Sequence, residues 1–374
     1  MTGKSRVTLA CLSVLAIVAG CTSSSATSAP SATTAAPLKI GVVTDVGRVD
    51  DKTFNQYAYE GAKTAATQLG ATLNYVSPKD ATDYTKDIQQ FVDSNYDIIV
   101  TVGYNLGSAT ITAAKNNPNI WFIAVDVAPC VDETGNPDQT FACKGNAATL
   151  LPKLIGIQFQ EDQAGYFAGM VAAAVTKTGV IGQIGGINSN PAVVRYLQGY
   201  QLGAAAYKAS VKVETGFFST GDLGKAYGDP TWGKTFSTQF IPQKGVDVLF
   251  QVAGATGNGA LDAACEANIW AIGVDTDEFL SYPTADKCII TSAEKNVASA
   301  VSQTIAKING KTAAGGIAKF NAANDGVSYA PLNENTAVTF PSDLQGKLDT
   351  ALAGMRAGTL KTCPDTGCGT WSGQ

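Results

Sequence analysis

IGVVTDVGRVDDKTFNQYAYEGAKTAATQL, from Ile40 to Leu69, is the stretch that decides the fold class. It opens with an apolar run of strand type, Leu38 to Val43, and a polar loop follows. Asp51 can then cap a helix whose small and apolar residues return on one face. A strand, a loop and a helix in this order are typical of open α/β sheets, in which ligands bind where the strands end. Phe54 and Asn55, in the first helical turn, are therefore candidates for ligand contact.

The first twenty residues predict a lipoprotein signal peptide. Lys4 and Arg6 precede an apolar run, Val7 to Val18, that is too short to span a bilayer. Val18-Ala19-Gly20-Cys21 has the pattern of a lipoprotein cleavage box, with Cys21 as the lipidated residue. An ordinary secretory signal with an incidental cysteine is the alternative. We expect acyl chains on Cys21 to anchor the protein on the extracytoplasmic face of the cell membrane.

The composition divides the remaining chain into a tether and a globular body. Residues 21–37 carry the lipidated cysteine and a Ser/Thr/Ala-rich segment that lacks apolar bulk and is expected to be disordered. From there on, about 340 residues suit two domains. The net charge of −5 gives no basic footprint for nucleic acid. The chain has no histidine, which removes Ser-His-Asp and Cys-His catalysis and the commonest metal ligand.

The cysteines indicate disulfides. Of the eight in the chain, Cys11 lies in the signal and Cys21 takes the lipid. An even remainder of six in an exported chain allows fifteen connectivities. Sequence proximity favours Cys130 with Cys143, Cys265 with Cys288, and Cys363 with Cys368. A metal site is the competing interpretation, but without histidine or a Cys-x-x-Cys pair we predict no metal.

Strand and helix patterns alternate along most of the chain, as in parallel sheets. Predicted strands cover 38–44, 71–76, 97–102, 119–125, about 153–158, 179–185, 211–217, 246–252, 270–274 and 288–292. Predicted helices cover 51–69, 83–94, 106–116, 161–176, 191–208, 233–242, 256–267, 295–308 and 342–357. These elements form two doubly wound lobes. We predict a first lobe of 38–158 with about 288–320, and a second of 159–287 with about 321–374.

In the first half of the chain, aromatic and polar residues follow the predicted strands. Phe54 can stack on a flat ligand, and Asn55 can donate and accept hydrogen bonds at the ligand's edge. Asp126 ends strand 119–125, and Tyr104 follows strand 97–102. The structural alternatives, a core role for Phe54 and a loop cap for Asp126, remain open at this point.

In the second half, three residues hold equivalent places. Gly254 follows strand 246–252 and lets the backbone approach a ligand closely. Asp275 ends the next strand and can accept hydrogen bonds from vicinal hydroxyls. Lys295, predicted to open helix 295–308, supplies the opposite charge, with a surface lysine as the alternative.

The acidic loop between Asp45 and Asp51 has two interpretations. Asp45, Asp50 and Asp51 could gather a calcium ion, which resembles the aspartate cluster that opens the nucleoside hydrolases. Val43 stands where that family has another aspartate, however, and one extra residue separates Gly47 from Asp50. Alternatively, Asp51 caps the helix and Asp45 binds ligand hydroxyls, which requires fewer assumptions.

Several longer segments resemble the basic membrane protein family, the nucleoside-binding lipoproteins that serve ABC transporters. The matching segments are TDVGRVDDKTFNQYAYEGA (44–62), EDQAGYFAGMVAA (161–173), GQIGGINSNPAVVRYLQGYQLGA (182–204), VDVLFQVAGATGNGALDAA (246–264), IGVDTDEF (272–279) and TSAEKNV (291–297). They cover most of residues 38–308 in the right order. The resemblance implies the ribose-binding type of periplasmic-binding fold, with the ligand between two lobes joined by three crossovers.

The resemblance also implies roles for single residues. Asp45 contacts the nucleoside, Phe54 and Asn55 bind the base, and Asp126 is the matching strand-end acid. Gly254 lies near the ligand, and Asp275 with Lys295 binds the ribose. A second aromatic closes the base from the other side. The family's usual segment is stretched here into FFSTGDLGKAYGDPTWGK (217–234), so Phe218 and Tyr227 both fit, with Phe218 favoured.

These observations predict a lipid-anchored receptor that captures a nucleoside, most simply a purine nucleoside, and delivers it to an ABC transporter permease. We expect a monomer with no enzyme activity and no cofactor. The alternatives are a secreted nucleoside hydrolase and a sugar or signalling receptor of the same fold.

Overall fold

The computed structural model describes residues 36–333, 337–365 and 367–372. The predicted signal peptide 1–20, the lipidation site Cys21 and nearly all of the tether lie outside the described residues.

The first sheet explains why the chain carries short apolar runs. Its strands are β1 (Lys39–Val43), β2 (Thr72–Val76), β3 (Ile98–Val102), β4 (Trp121–Val125), β5 (Leu154–Phe159) and β11 (Gly316–Phe320). They pair in parallel in the order β11-β5-β4-β3-β1-β2. β3 is buried throughout and β1 and β4 nearly so, which requires apolar residues on both faces of the sheet.

The second sheet repeats this plan. Its strands are β6 (Val180–Gly185), β7 (Lys212–Phe217), β8 (Val248–Val252), β9 (Trp270–Asp275), β10 (Ile289–Lys295) and β12 (Val327–Tyr329). Their order is β12-β10-β9-β8-β6-β7, and β12 runs antiparallel to β10 while the other neighbours pair in parallel. The predicted fold class, two doubly wound lobes, is confirmed.

Helices alternate with the strands. They are α1 (Phe54–Leu69), α2 (Tyr84–Asp93), α3 (Gly107–Asn116), α4 (Ala147–Leu150), α5 (Glu161–Val175), α6 (Pro191–Tyr207), α7 (Leu223–Tyr227), α8 (Pro230–Lys244), α9 (Gly254–Glu266), α10 (Glu278–Ser281), α11 (Val297–Asn309) and α12 (Leu344–Arg356). The longer ones lie close to the predicted helices, although α8 begins at Pro230 and continues past Pro242. Within the described ranges, none of these helices has the length and apolarity needed to cross a membrane.

The course of the chain between the sheets corrects one prediction. The sequence predicts that the strand from residue 288 belongs to the first lobe, but β10 pairs with β9 and β12 in the second sheet. The chain crosses after β5, after β10 and after β11. Its return to the first lobe comes at Asn296, where α11 begins and packs against α1. The apolar start of β10 extends the second sheet. The boundary between the second-lobe and first-lobe segments therefore lies after β10 and not at residue 288, where the sequence predicts it.

Among the residues that the structure describes, disulfides join Cys130 to Cys143, Cys265 to Cys288 and Cys363 to Cys368. The pairing favoured by sequence proximity is therefore confirmed. The first of them closes a loop between β4 and β5.

Helices α5 and α6 pack with their backbones in contact. A Cβ built on Gly165 of α5 would lie 2.1 Å from the carbonyl oxygen of Tyr196, and one on Gly199 of α6 would lie 2.0 Å from that of Asp162. Any larger residue at these glycines would push the helices apart. The close approach places the first turns of both helices beside the cleft between the lobes.

Candidate ligand-binding site

A cavity of about 50 Å³ lies where the carboxyl ends of strands from both sheets meet. Eight of the nine predicted ligand-binding residues line it: Asp45, Phe54, Asn55, Asp126, Tyr227, Gly254, Asp275 and Lys295. Further lining residues are Gly103, Tyr104, Asn105, Asn190, Ala192, Val193, Tyr196, Val252 and Ala253. Residues far apart in sequence thus form one site, as expected for the crevice of open α/β sheets.

The first-lobe side of the cavity is organised by an amide between two carboxylates. The Asn55 side-chain nitrogen donates to Asp45 Oδ1 and to Asp51 Oδ2, at 2.9 Å in both cases. The backbone N–H of Gly47 donates to the same Asp45 oxygen at 2.7 Å. These hydrogen bonds fix the orientation of the Asn55 side-chain amide before any ligand arrives. The first-lobe side of the site is therefore preorganised.

Asp51 holds the start of α1, as the sequence predicts. Its carboxylate accepts from the backbone N–H groups of Thr53, Asn55 and Gln56, at 2.9, 3.1 and 3.1 Å. These are N–H groups that the first turn of a helix leaves without intrahelical partners. Asp51 thereby fixes the turn from which Phe54 and Asn55 project into the cavity.

Two acids occupy equivalent, strained places at the ends of strands. Asp126 follows β4 with φ +62°, and Asp275 ends β9 with φ +65°. A non-glycine residue in this left-handed region costs ~1–3 kcal/mol and is concentrated at functional sites. The backbone turns sharply at both positions, so both carboxylates reach the cavity from opposite lobes.

Lys295 joins these acids across the cleft. Its Nζ lies 2.7 Å from Asp126 Oδ2 in the first lobe and 3.4 Å from Asp275 Oδ1 in the second. Glu161 Oε1 lies 3.9 Å away, and the other oxygen of Glu161 accepts from Arg195 Nε at 2.5 Å. The side chain of Lys295 is only 3% exposed, so these charges interact with little screening by water.

The position of Lys295 corrects the sequence prediction. It is the last residue of β10, and α11 begins two residues later at Val297. A strand end at the cleft directs the amine into the cavity, which the first turn of a helix need not do. The surface alternative for Lys295 is likewise wrong.

Aromatic rings surround the same amine. The Nζ of Lys295 lies 4.6 Å from the ring centroid of Phe54, 5.3 Å from that of Phe159 and 5.7 Å from that of Tyr196. Cation–π contacts within about 6 Å stabilise a buried cation. The Tyr196 hydroxyl also donates to Asp275 Oδ1 at 3.1 Å. Rings and acids therefore share one cation at the centre of the site.

Burial controls the protonation of the site. It raises the pKa of Asp45 to about 6, against the hydrogen bonds from Gly47 and Asn55, and that of Glu161 to about 7, against Arg195 and Lys295. Burial alone would lower the pKa of Lys295, but the facing acids outweigh it and raise that pKa. Lys295 is thus a permanent cation, whereas Asp45 and Glu161 titrate near neutral pH.

Of the two candidates for the second aromatic, the structure places Tyr227 at the cavity and Phe218 elsewhere. Tyr227 lines the cavity, and Asn190 Nδ2 donates to its hydroxyl at 3.2 Å. Phe218 instead packs in the core of the second lobe, 5.3 Å from the ring of Phe236. Phe218 directly follows β7, and its side chain belongs to the core of the second lobe. Its place after a strand therefore does not indicate contact with a ligand. Tyr227 ends α7, which extends from the inserted segment towards the cleft.

The calcium interpretation of the acidic loop does not match the geometry. Asp50 is 60% exposed and pairs with Arg48 at 2.8 Å, away from the other two acids. Asp45 and Asp51 are bridged by the amide of Asn55. In the described ranges, the group close enough to share a metal ion consists of Asp162, Cys363 and Cys368, and both of these cysteines are disulfide-bonded.

Some lining residues were missed by the sequence analysis. Gly103 and Asn105 flank Tyr104 after β3, and Asn190 follows β6, so the strand-end rule could have found them. Asn190 also caps α6 by accepting from the N–H of Ala192 at 3.0 Å. Tyr196 lies in the second turn of α6 and has no such signal. It reaches the cavity because α5 and α6 pack so closely.

Two doubly wound lobes around a cavity lined by rings, acids and an amine define a solute-binding protein of the type I periplasmic fold. The comparisons agree and give the family. The chain belongs to the family described as "ABC transporter substrate-binding protein PnrA-like", whose model matches residues 38–347. The resemblance seen in the sequence is confirmed, and the chain is a substrate-binding protein of an ABC transporter rather than an enzyme.

Relatives and solved structures are consistent with this assignment. The chain is 32% identical over 346 residues to the ABC transporter nucleoside-binding protein BmpA of Lactococcus lactis subsp. cremoris, covering 87% of this chain and 91% of that one. It is 27% identical over 265 residues to Basic membrane protein A of Borreliella burgdorferi, with 70% of each chain covered. A solute-binding protein from Aeropyrum pernix K1 shares the fold, with a TM-score of 0.71, 22% identity and coverage of 87% and 93%.

Proposed function

We propose that the protein captures a purine nucleoside between its two lobes and delivers it to the permease of an ABC transporter. The observation that carries the proposal is the convergence of eight predicted ligand-binding residues on one cavity. The nucleoside-binding name of the Lactococcus lactis relative supports it.

The chemistry of the lining suits each part of a nucleoside. Phe54 and Tyr227 offer rings for stacking on the base, and Asn55 offers an amide for its edge. Asp275 and Lys295 together offer an acceptor and a donor for vicinal ribose hydroxyls. Asp45 adds a second carboxylate on the first-lobe side. A free pentose would use the acids and the amine but would leave the rings unused.

Binding requires the lobes to separate. Small-molecule pockets usually measure ~300–1,000 Å³, and the cavity here, at about 50 Å³, is far smaller. The Lys295–Asp126 ion pair and a hydrogen bond of 3.2 Å from Asn258 Nδ2 to the carbonyl oxygen of Asp51 join the lobes. A hinge motion would break these contacts, admit the ligand and close again around it.

We further propose that the protein is exported, cleaved before Cys21 and anchored by lipid at that residue, and that it acts as a monomer on the extracytoplasmic face of the cell membrane. The lipoprotein box and the Ser/Thr/Ala-rich tether support this. A Cys21→Ser variant should move from the membrane fraction to the soluble fraction of the producing cells. Retention of that variant at the membrane would contradict lipid anchoring.

Calorimetry tests the binding proposal. The unit from Pro37 to Gln374 would be titrated with adenosine, guanosine, adenine and ribose. We expect the nucleosides to bind and ribose alone to bind at least ~100-fold more weakly, because the stacked base is the larger buried surface. Ribose binding as tight as nucleoside binding would overturn the proposal in favour of a sugar receptor. Free base in the spent sample would favour a hydrolase.

A further inference from the structure

We infer that Glu278 is a positioning residue that shapes the second-lobe side of the ligand site, an inference that rests on the proposed function. Glu278, Gln251 and Ser292 form a hydrogen-bonded network, called here the strand-end network. All three side chains are fully buried behind the cavity. The network ties β8, β9 and β10 together, and none of its members lines the cavity.

Glu278 fixes the end of β9. Its Oε2 accepts from the backbone N–H of Val274 at 2.9 Å and from Gln251 Nε2 at 2.8 Å. Val274 directly precedes Asp275, whose left-handed backbone turns the carboxylate into the cavity. Since a strained turn persists only where its surroundings hold it, Glu278 is the side chain placed to hold this one.

Gln251 extends the same control to β8. Its Oε1 accepts from the backbone N–H of Ala253 at 3.0 Å, one residue before Gly254. Gly254 has φ +52° and lines the cavity. A Cβ on Gly257 would lie 1.7 Å from Gln251 Oε1, so α9 has room for the amide only because residue 257 is glycine.

Ser292 completes the network on β10. Ser292 lies three residues before Lys295, and its Oγ accepts from the backbone N–H of Glu278 at 3.1 Å. A Cβ on Gly273 would lie 2.4 Å from Ser292 Oγ and 2.6 Å from Glu278 Oε2, so β9 also leaves space for the network. The three strands that lead to Gly254, Asp275 and Lys295 are therefore connected through one residue, because the carboxyl group of Glu278 contacts β8 and β9 and its backbone N–H contacts β10.

The surroundings of Glu278 favour its neutral form. Burial raises its pKa to about 8, and the carboxylates of Asp275 on β9 and Asp51 before α1 add to the effect. Its other network partners, Gln251 and Ser292, are uncharged. Glu278 Oε1 has no hydrogen-bond partner among the described residues and is the natural place for the proton. A neutral acid can hold Val274 without repelling Asp275, whereas its ionisation in alkaline solution would place a second buried negative charge beside Asp275.

The test compares Glu278→Ala with Glu278→Gln in the full chain, using adenosine and guanosine as probes. Alanine removes the acceptor for Val274 and Gln251, and we expect affinity to fall at least ~10-fold. Glutamine keeps an acceptor oxygen and stays uncharged, so affinity should remain within about threefold of the wild type. Above pH 8 the wild type should weaken while Glu278→Gln should not.

Glu266→Ala is the matched control, since this glutamate is exposed and pairs with Lys234 on the outer surface. It should leave affinity and its pH profile unchanged. Wild-type affinity in Glu278→Ala, or a loss in Glu278→Gln equal to that in Glu278→Ala, would overturn the inference.

A second measurement keeps the inference separate from the proposed function. Amide hydrogen exchange at Val274 and Ala253 needs no ligand, and exchange should be faster in Glu278→Ala but not in Glu278→Gln. If no nucleoside binds the wild type, the proposed function fails while this exchange pattern still decides the role of Glu278. Should the alanine variant not fold, Ser292→Ala takes its place, with a smaller increase in exchange expected and unchanged exchange contradicting the network.

Discussion

The hydrogen bonds that position the two sides of the ligand site differ in the sequence separation of their partners. On the first-lobe side, Asn55 bonds Asp45 across ten residues and Asp51 across four. On the second-lobe side, Glu278 bonds Gln251 across 27 residues and Ser292 across 14. The first arrangement is a loop that organises itself, whereas the second exists only after three strands have paired. Substitutions within the loop around Asn55 should therefore affect the geometry of the first-lobe side alone. Substitutions in the network around Glu278 should affect the second-lobe side.

Lys295 lies where both sides meet, and its loss should have the largest effect. In Lys295→Met, affinity for adenosine or guanosine should fall at least ~100-fold, and the free energy of unfolding should fall by ~3–5 kcal/mol because Asp126 and Asp275 lose their buried counter-ion, while Glu161 keeps only Arg195. Calorimetry and chemical denaturation measure the two quantities. Lys234→Met, which removes an exposed ion pair, is the control and should change neither. An unchanged affinity in Lys295→Met would show that the two sides are independent.

Asp51→Ala tests whether the first-lobe side is organised locally. Three backbone N–H groups lose their acceptor and the Asn55 amide loses one of its two, so affinity should fall ~10-fold and the free energy of unfolding by ~1–2 kcal/mol. Asp50→Ala removes the adjacent exposed acid and should leave both values unchanged. Amide exchange at Val274 should stay at its wild-type rate in both variants. Faster exchange there would mean that the two sides are coupled.

Below neutral pH, the pH dependence of binding should be set in part by Asp45 on the first-lobe side and in part by Glu161. Because the pKa of Asp45 is raised to about 6, acidification from pH 7 to 5 protonates it and removes an acceptor, and affinity should fall ~5–10-fold. In Asp45→Asn, the part of the decrease in affinity that comes from protonation of Asp45 should be absent. The part that comes from protonation of Glu161 should remain. For stability the sign is opposite: the contribution of Asp45 is full below its ordinary pKa of 3.8 and is lost as pH rises through about 6. An equal decrease in affinity in the variant would exclude Asp45 as the titrating group.

The smallest effect is expected at Phe218. Phe218→Leu keeps most of the apolar volume in the second-lobe core, so affinity should change less than ~2-fold while the free energy of unfolding falls by ~1 kcal/mol. Tyr227→Leu removes a ring at the cavity and should cost ~3–10-fold in affinity. Isothermal titration of the two variants side by side gives the comparison. The reverse order would restore Phe218 as the second aromatic.

The same contrast explains what the sequence could predict. The Asp51 cap, the placement of Phe54 and Asn55 and the disulfide pairs depend on neighbours in sequence, and local patterns indicated them. The end of β10 was misplaced because Lys295 is followed directly by a helix pattern, and only pairing with β9 and β12 shows where the strand ends. Phe218 and Tyr227 could not be separated, because the sequence does not reveal which way the inserted segment folds. The role of Glu278 depends on contacts with three strands at once, and no pattern of residue spacing in the sequence indicates it.

The left-handed backbone at Asp126 and Asp275 has a consequence for how this protein could be engineered. Asparagine tolerates this conformation as aspartate does, but in place of either acid it would deprive the buried Lys295 amine of a counter-ion. A selection for heat resistance alone would thus also retain the acids that the binding site requires, because Lys295 stays charged when they are removed. Libraries intended to improve the robustness of this receptor should keep both codons fixed and vary the outer helices instead.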